Sequence, residues 1–181
     1  MSEQRGFGAV DGLLASASAL ILLGLWLSAK QGFDPAWSTA HACNARSLPC
    51  GLLTCFTTAP WLHLSPTHAL LNLFAIAVLW RHLRRGSAVG TALTGLAGSA
   101  AGMVAASLLF GAPVAGASAL VHALLGRSLA QVAAPLAAFD LLAVSGLLAL
   151  GAAAPTWAGH VVATLVGGGA SILLARGRGP R

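Results

Sequence analysis

The chain has 181 residues, 57% of them hydrophobic and only 8% charged, with a mean hydropathy of +0.82. Soluble domains carry roughly 25% charged residues, so the composition excludes a water-soluble globular protein and points to an all-α, polytopic membrane protein built as one compact domain over residues 1–181. The formal net charge of +6 does not mark a nucleic-acid binder, because the basic residues lie between or beyond apolar runs and no basic patch is interleaved with aromatics.

Six apolar stretches are predicted as membrane spans, at about 9–29, 65–82, 88–110, 115–134, 136–153 and 156–175. Each approaches the roughly 20 residues a helix needs to cross a hydrocarbon core. The first follows Arg5 and ends in small residues before Lys30, as a secretory signal would. Its apolar run exceeds the usual length of about 7–15 residues, so it reads as a retained helix. The long loop at about 30–64 holds Trp37, Trp61, Pro35, Pro49, Pro60 and all three cysteines. Its tryptophans and the tract Leu52–Phe56 place it at a membrane interface. Cys43 and Cys50 are the candidate disulfide pair in an oxidising compartment, with Cys55 left over and buried; two reduced, inert thiols are the alternative. No cysteine or histidine spacing fits a metal site.

The second stretch carries His68 and Asn72, four residues apart and therefore on one helix face. The fourth opens with Gly116 and Ser118 in its first turn, and Arg127 within it must either snorkel to the inner face or mark an early helix end. The fifth contains Asp140, placed near the cytoplasmic end and read as structural, with a functional carboxylate as the alternative. The sixth starts at Pro155 and Thr156, with His160 about one turn in. Gly159, Ala163 and Gly167 form a small-residue stripe expected to let this helix approach another closely, the fourth stretch being the expected partner.

With the N-terminus inside, the inner segments hold Arg5, Arg81, Arg84, Arg85, Arg127, Arg176, Arg178 and Arg181, while the outer ones hold only Lys30 and Arg46. Eight against two sets the orientation, with both termini cytoplasmic. On that topology Ser118 and His160 both lie within about 10 Å of the outer surface, and His68 and Asn72 reach the same layer. A serine hydroxyl becomes a nucleophile when a base takes its proton, and His160 can do so. The start of a helix favours a developing anion, and His68 and Asn72 can donate further hydrogen bonds to an oxyanion. With no carboxylate at this depth, a dyad is implied rather than a triad. His122, four residues after Ser118, is either a stacking partner of His160 or a packing residue. His63 is read as structural, bonding within the outer loop.

The stretches WLHLSPTHALLNLFAIAVLW at 61–80, GASALVHALLG at 116–126 and GHVVATLVGGG at 159–169 resemble a rhomboid-type intramembrane serine protease. That family pairs a serine in GxSG, opening the fourth helix, with a histidine on the sixth, and carries HxxxN on the second. The resemblance covers roughly residues 60–175. It implies a six-span rhomboid-like bundle with Ser118 and His160 catalytic, His68 and Asn72 as oxyanion donors, and Gly116 supporting the serine. His63 matches a further histidine often found upstream. His122 matches the GxSGxxHG-like pattern of rhombosortases, the small six-helix bacterial members associated with processing GlyGly-type C-terminal sorting tails. Ala119 and Ala123 stand where that pattern has glycines, and the Ala119 methyl is expected to push the fourth helix away from its neighbours.

The expected function is cleavage of single-span membrane proteins near the outer face of a bacterial inner membrane, without metal or organic cofactor. The partners would be transmembrane substrates and the lipid bilayer. The alternative is a catalytically silent rhomboid-like protein that binds transmembrane segments. A small transporter is disfavoured by the lack of paired midplane charges.

Overall fold

The structure, a computed structural model, describes residues 8–47, 49–63, 65–83, 87–111, 113–131 and 154–176. Among the described residues the chain forms seven helices and no strand: α1 (Ala9–Lys30), α2 (Pro35–His41), α3 (Cys50–Thr57), α4 (Pro66–Leu83), α5 (Ala88–Phe110), α6 (Ser118–Gln131) and α7 (Ala154–Arg176). Three are long and apolar enough to cross a membrane: α1, α5 and the Trp157–Leu174 part of α7. Many of their large side chains point outward, with Leu165 and Leu173 of α7 68% and 69% exposed. So much outward apolar surface would associate in water and suits a lipid surround.

Six spans are not displayed. α4 occupies the predicted second stretch, but its 18 residues include His68, Asn72, Arg81 and His82 and fall outside that apolar set. α6 is described for 14 residues. The predicted fifth stretch and Asp140 lie outside the described residues.

Local chemistry explains the helix ends. Asp11 in the first turn of α1 accepts the Gly8 N–H at 2.8 Å and the Trp80 indole N–H at 2.5 Å, which caps α1 and ties it to α4. A carboxylate there also suits the positive end of the helix. Gly32 and Phe33, at φ 62° and 54°, turn the chain after α1. The Asp34 side chain then caps α2 by accepting from Ala36 and Trp37. Ser87 caps α5, which ends at Gly111 in the left-handed region (φ 68°), a conformation that glycine adopts without steric cost.

The loop between α1 and α4 carries the short helices α2 and α3, and it corrects the expected cysteine pairing. The disulfide joins Cys43 to Cys55, and Cys50 is the exposed free thiol. The orientation of α3 is the reason. Gly51 packs on the Asn44 carbonyl and the Thr54 hydroxyl donates to the Ala42 carbonyl at 2.7 Å, so the face bearing Cys55 turns toward Cys43. The tract Leu52–Phe56 does present apolar surface, with Leu53 and Phe56 exposed.

Two packing regimes hold the long helices. α1, α4 and α6 share a cluster of aliphatic side chains that includes Leu14, Ile21, Ile76, Leu79, Val121 and Leu124. α5, α6 and α7 instead meet through glycines. A Cβ added at Gly102 would lie 2.5 Å from the Gly159 carbonyl, one at Gly98 would lie 2.5 Å from the Ala123 methyl, and at Gly126 and Gly167 it would overlap the backbone of the facing helix. The α7 stripe therefore serves two partners rather than the fourth stretch alone: Gly159 packs on α5 and Gly167 on α6.

Arg127 neither snorkels nor ends α6. It is 4% exposed inside a helix that runs on to Gln131, and its Nη1 donates to the hydroxyls of Thr94 on α5 and Ser171 on α7, both at 3.3 Å. Gly90 makes room for the guanidinium, because a Cβ there would lie 3.1 Å from it.

Candidate functional site

Ser118 opens α6, and the segment leading to it is fastened on both sides. Val114 and Cys43 exchange backbone hydrogen bonds at 2.8 and 2.9 Å, and the Gly116 N–H donates to the Ala59 carbonyl at 2.8 Å. Gly116 has φ 118°, and a Cβ there would come within 2.6 Å of His68 Cε1. Only glycine both adopts that backbone and lets the α4 histidine lie against the turn that precedes Ser118. Ser118 is half-buried and sits in the first turn of α6, where backbone N–H groups have no carbonyl of their own helix to pair with.

His122 lies one turn further along α6. Its Nδ1–H donates to the Ser118 carbonyl at 2.7 Å, which fixes the ring. The His160 ring of α7 stacks on it, with centroids 4.0 Å apart and planes within 6°. Of the two roles open to His122 from sequence, stacking on His160 is the one the rings adopt. His160 is 8% exposed. The close seating of α7 brings its ring there, since Gly159 allows the start of α7 to touch the Gly102 backbone. The Ser118 hydroxyl makes no hydrogen bond among the described residues; His160 is linked to Ser118 through His122, which stacks on the His160 ring and bonds the Ser118 carbonyl.

From the other side α4 contributes His68 and Asn72. His68 meets Gly116 as described and stands edge-on to His63, with centroids 5.2 Å apart. Asn72 is fully buried, and its Nδ2 lies 3.1 Å from His63 Nε2. His63 Nδ1 in turn lies 2.9 Å from the Trp61 carbonyl. Burial pushes the His63 imidazole down to about 4, and the neighbouring His68 adds to the shift against the opposing effect of the Trp61 carbonyl. His63 therefore keeps to its expected bond within the loop, yet its second nitrogen reaches a candidate site residue. The sequence held one signal for this. His63 stands three residues before Pro66, close to the start of the helix that carries His68 and Asn72.

Ala119 is 5% exposed, and its methyl is enclosed in a cluster with Met103, Ala123 and Ala163. α6 nevertheless packs closely on α5 and α7 through Gly98, Gly126 and Gly167, so the methyl does not hold the helix away from them. Among the described residues no group of three or more His, Cys, Asp or Glu side chains is arranged to hold a metal ion.

The arrangement brings Ser118, His122, His160, Gly116, His68 and Asn72 to one end of the helix bundle, with His63 joined to them. A hydroxyl at a helix start, the imidazoles of His68, His122 and His160 and a buried amide N–H are a set that can transfer a proton and hold an anion. No protein-family description, curated protein or solved structure matches the chain.

Proposed function

We propose that this protein is an intramembrane serine endopeptidase of the rhomboid type, most similar to the rhombosortases, acting on single-span membrane proteins. The observation that carries the reading is the parallel stacking of His160 on His122, whose own Nδ1–H is bonded to the Ser118 carbonyl. That contact with His122, one turn after Ser118, supports His160 as the base for the hydroxyl at the start of α6.

In this reading His160 takes the Ser118 proton as the oxygen attacks the scissile carbonyl. His68, Asn72 and the first-turn N–H groups of α6 stabilise the oxyanion, and His160 then protonates the leaving amine. The acyl-enzyme is resolved by water, or by an amine acceptor if the enzyme transfers its product. The basic residues favour an orientation with both termini cytoplasmic in a bacterial inner membrane. The site would then open near the outer face, level with the outer end of a client helix. A client tail of small residues suits a narrow site between helices, and a GlyGly-type sorting tail fits that description.

The unbonded Ser118 hydroxyl favours a second reading, a catalytically silent relative that binds transmembrane segments. Reaction of detergent-solubilised protein with a fluorophosphonate probe separates the two. Labelling lost in Ser118→Ala supports the hydrolase, and absence of labelling in the parent protein supports the silent binder.

A further inference from the structure

His63 has no part in the reaction just described, yet it is fully buried and bonded through both ring nitrogens. A carbonyl can only accept, so the nitrogen facing the Trp61 oxygen carries the proton. Nε2 of the neutral ring is then an acceptor, and what faces it must be a donor. The Asn72 amide is therefore oriented by chemistry as well as by fit, with one N–H committed to His63. Its Oδ1 is buried without a partner. An amide serving only to join two elements would seat both of its ends, so a buried orphan acceptor calls for an explanation. The explanation that fits is that the amide is turned for the sake of its nitrogen. The segment holding His63 is itself clamped, because Gly24 of α1 lies directly against the Trp61 carbonyl, the same carbonyl that accepts from His63.

We infer that His63 is a positioning residue: its imidazole holds one N–H of Asn72 so that the other is presented to the oxyanion of the reaction proposed above. The inference rests on the serine-hydrolase reading and adds a residue to it. The neutral state that the bond needs persists above about pH 4. His63→Gln can keep an acceptor at the Nε2 position, whereas His63→Leu fills similar space without one.

The test is turnover of a single-span reporter with a Gly-rich tail by the full-length protein, reconstituted in bilayers. The variants are His63→Leu, His63→Gln, Asn72→Ala and the double variant His63→Leu with Asn72→Ala. His63→Leu should lower kcat by about 10- to 100-fold, with KM within about twofold, because a misplaced donor forfeits most of its effect. His63→Gln should recover most of that loss. In the Asn72→Ala background His63→Leu should cost nothing further. The Asn72 side-chain amide signals in a ¹⁵N–¹H spectrum should shift and exchange faster with solvent in His63→Leu but not in His63→Gln. These signals read the bond without catalysis, and thermal unfolding of each variant separates misfolding from mispositioning. An undiminished kcat in His63→Leu, a loss that adds fully to that of Asn72→Ala, or unchanged amide signals would overturn the inference. Absence of any Ser118-dependent turnover in the parent protein would instead overturn the hydrolase reading, and the oxyanion role with it.

Discussion

The two sides of this bundle are held by different means. Where α5, α6 and α7 meet, glycines bring backbone onto backbone, and Arg127 reaches two hydroxyls across the three helices. Where α1 and α4 meet α6, interlocked aliphatic side chains fill the space. A glycine contact has no rotamers with which to adjust, whereas an aliphatic one has many. The first side carries Ser118, His122 and His160, whose mutual geometry must be tight. The second carries His68 and Asn72, which need separate fasteners to stay in register with the serine: Gly116 against His68, and His63 against Asn72.

Substitutions can break that comparison. The largest effect is expected at Gly167, where a Cβ would overlap the Ala123 carbonyl. Gly167→Leu should push α7 off α6 and abolish folded, monodisperse protein in detergent. Ile76→Val on the aliphatic side should cost only about 0.5–1.5 kcal/mol by thermal unfolding. Equal tolerance at the two positions would mean that the glycine seam does not organise the bundle.

Gly116→Ala comes next, because it unfastens the seam between the two sides. The methyl meets His68 and the backbone at φ 118° resists a side chain. Turnover should fall by about 100-fold, the cost typical of a displaced catalytic group, with the helical content by circular dichroism unchanged. The smallest effect is expected at Ala119. Its methyl is already enclosed between α6 and its neighbours, so Ala119→Gly should lower stability by about 1 kcal/mol through helix propensity and leave turnover at or above the parent level. A large loss of activity in a folded Ala119→Gly protein would show that this methyl shapes the site.

Hydropathy made the long elements legible. The stretches read at 9–29, 88–110 and 156–175 fall on α1, α5 and α7 to within a few residues, because an apolar run flanked by polar turns leaves little freedom in where a helix starts and ends. The i, i+4 spacings placed His68 with Asn72 and Ser118 with His122 on common faces for the same local reason. What stayed hidden depended on partners distant in sequence. The cysteine pairing follows from which face of α3 packs on the 42–44 segment. The burial of Arg127 follows from Gly90, Thr94 and Ser171 on two other helices. The division of the α7 stripe between α5 and α6 follows from the backbone approaches that glycines on α5, α6 and α7 allow. None of these leaves a periodic signal in the chain.

Whether Ser118 is a nucleophile with His160 as its base, as proposed, is read most directly from the labelled protein by mass spectrometry. Full-length protein in detergent is treated with a fluorophosphonate probe and digested, and the modified peptide is sequenced by mass spectrometry. One adduct is expected, on Ser118, lost in Ser118→Ala and strongly diminished in His160→Ala while both variants remain folded. An adduct on another residue, or labelling of Ser118 that is indifferent to His160, would contradict the proposal.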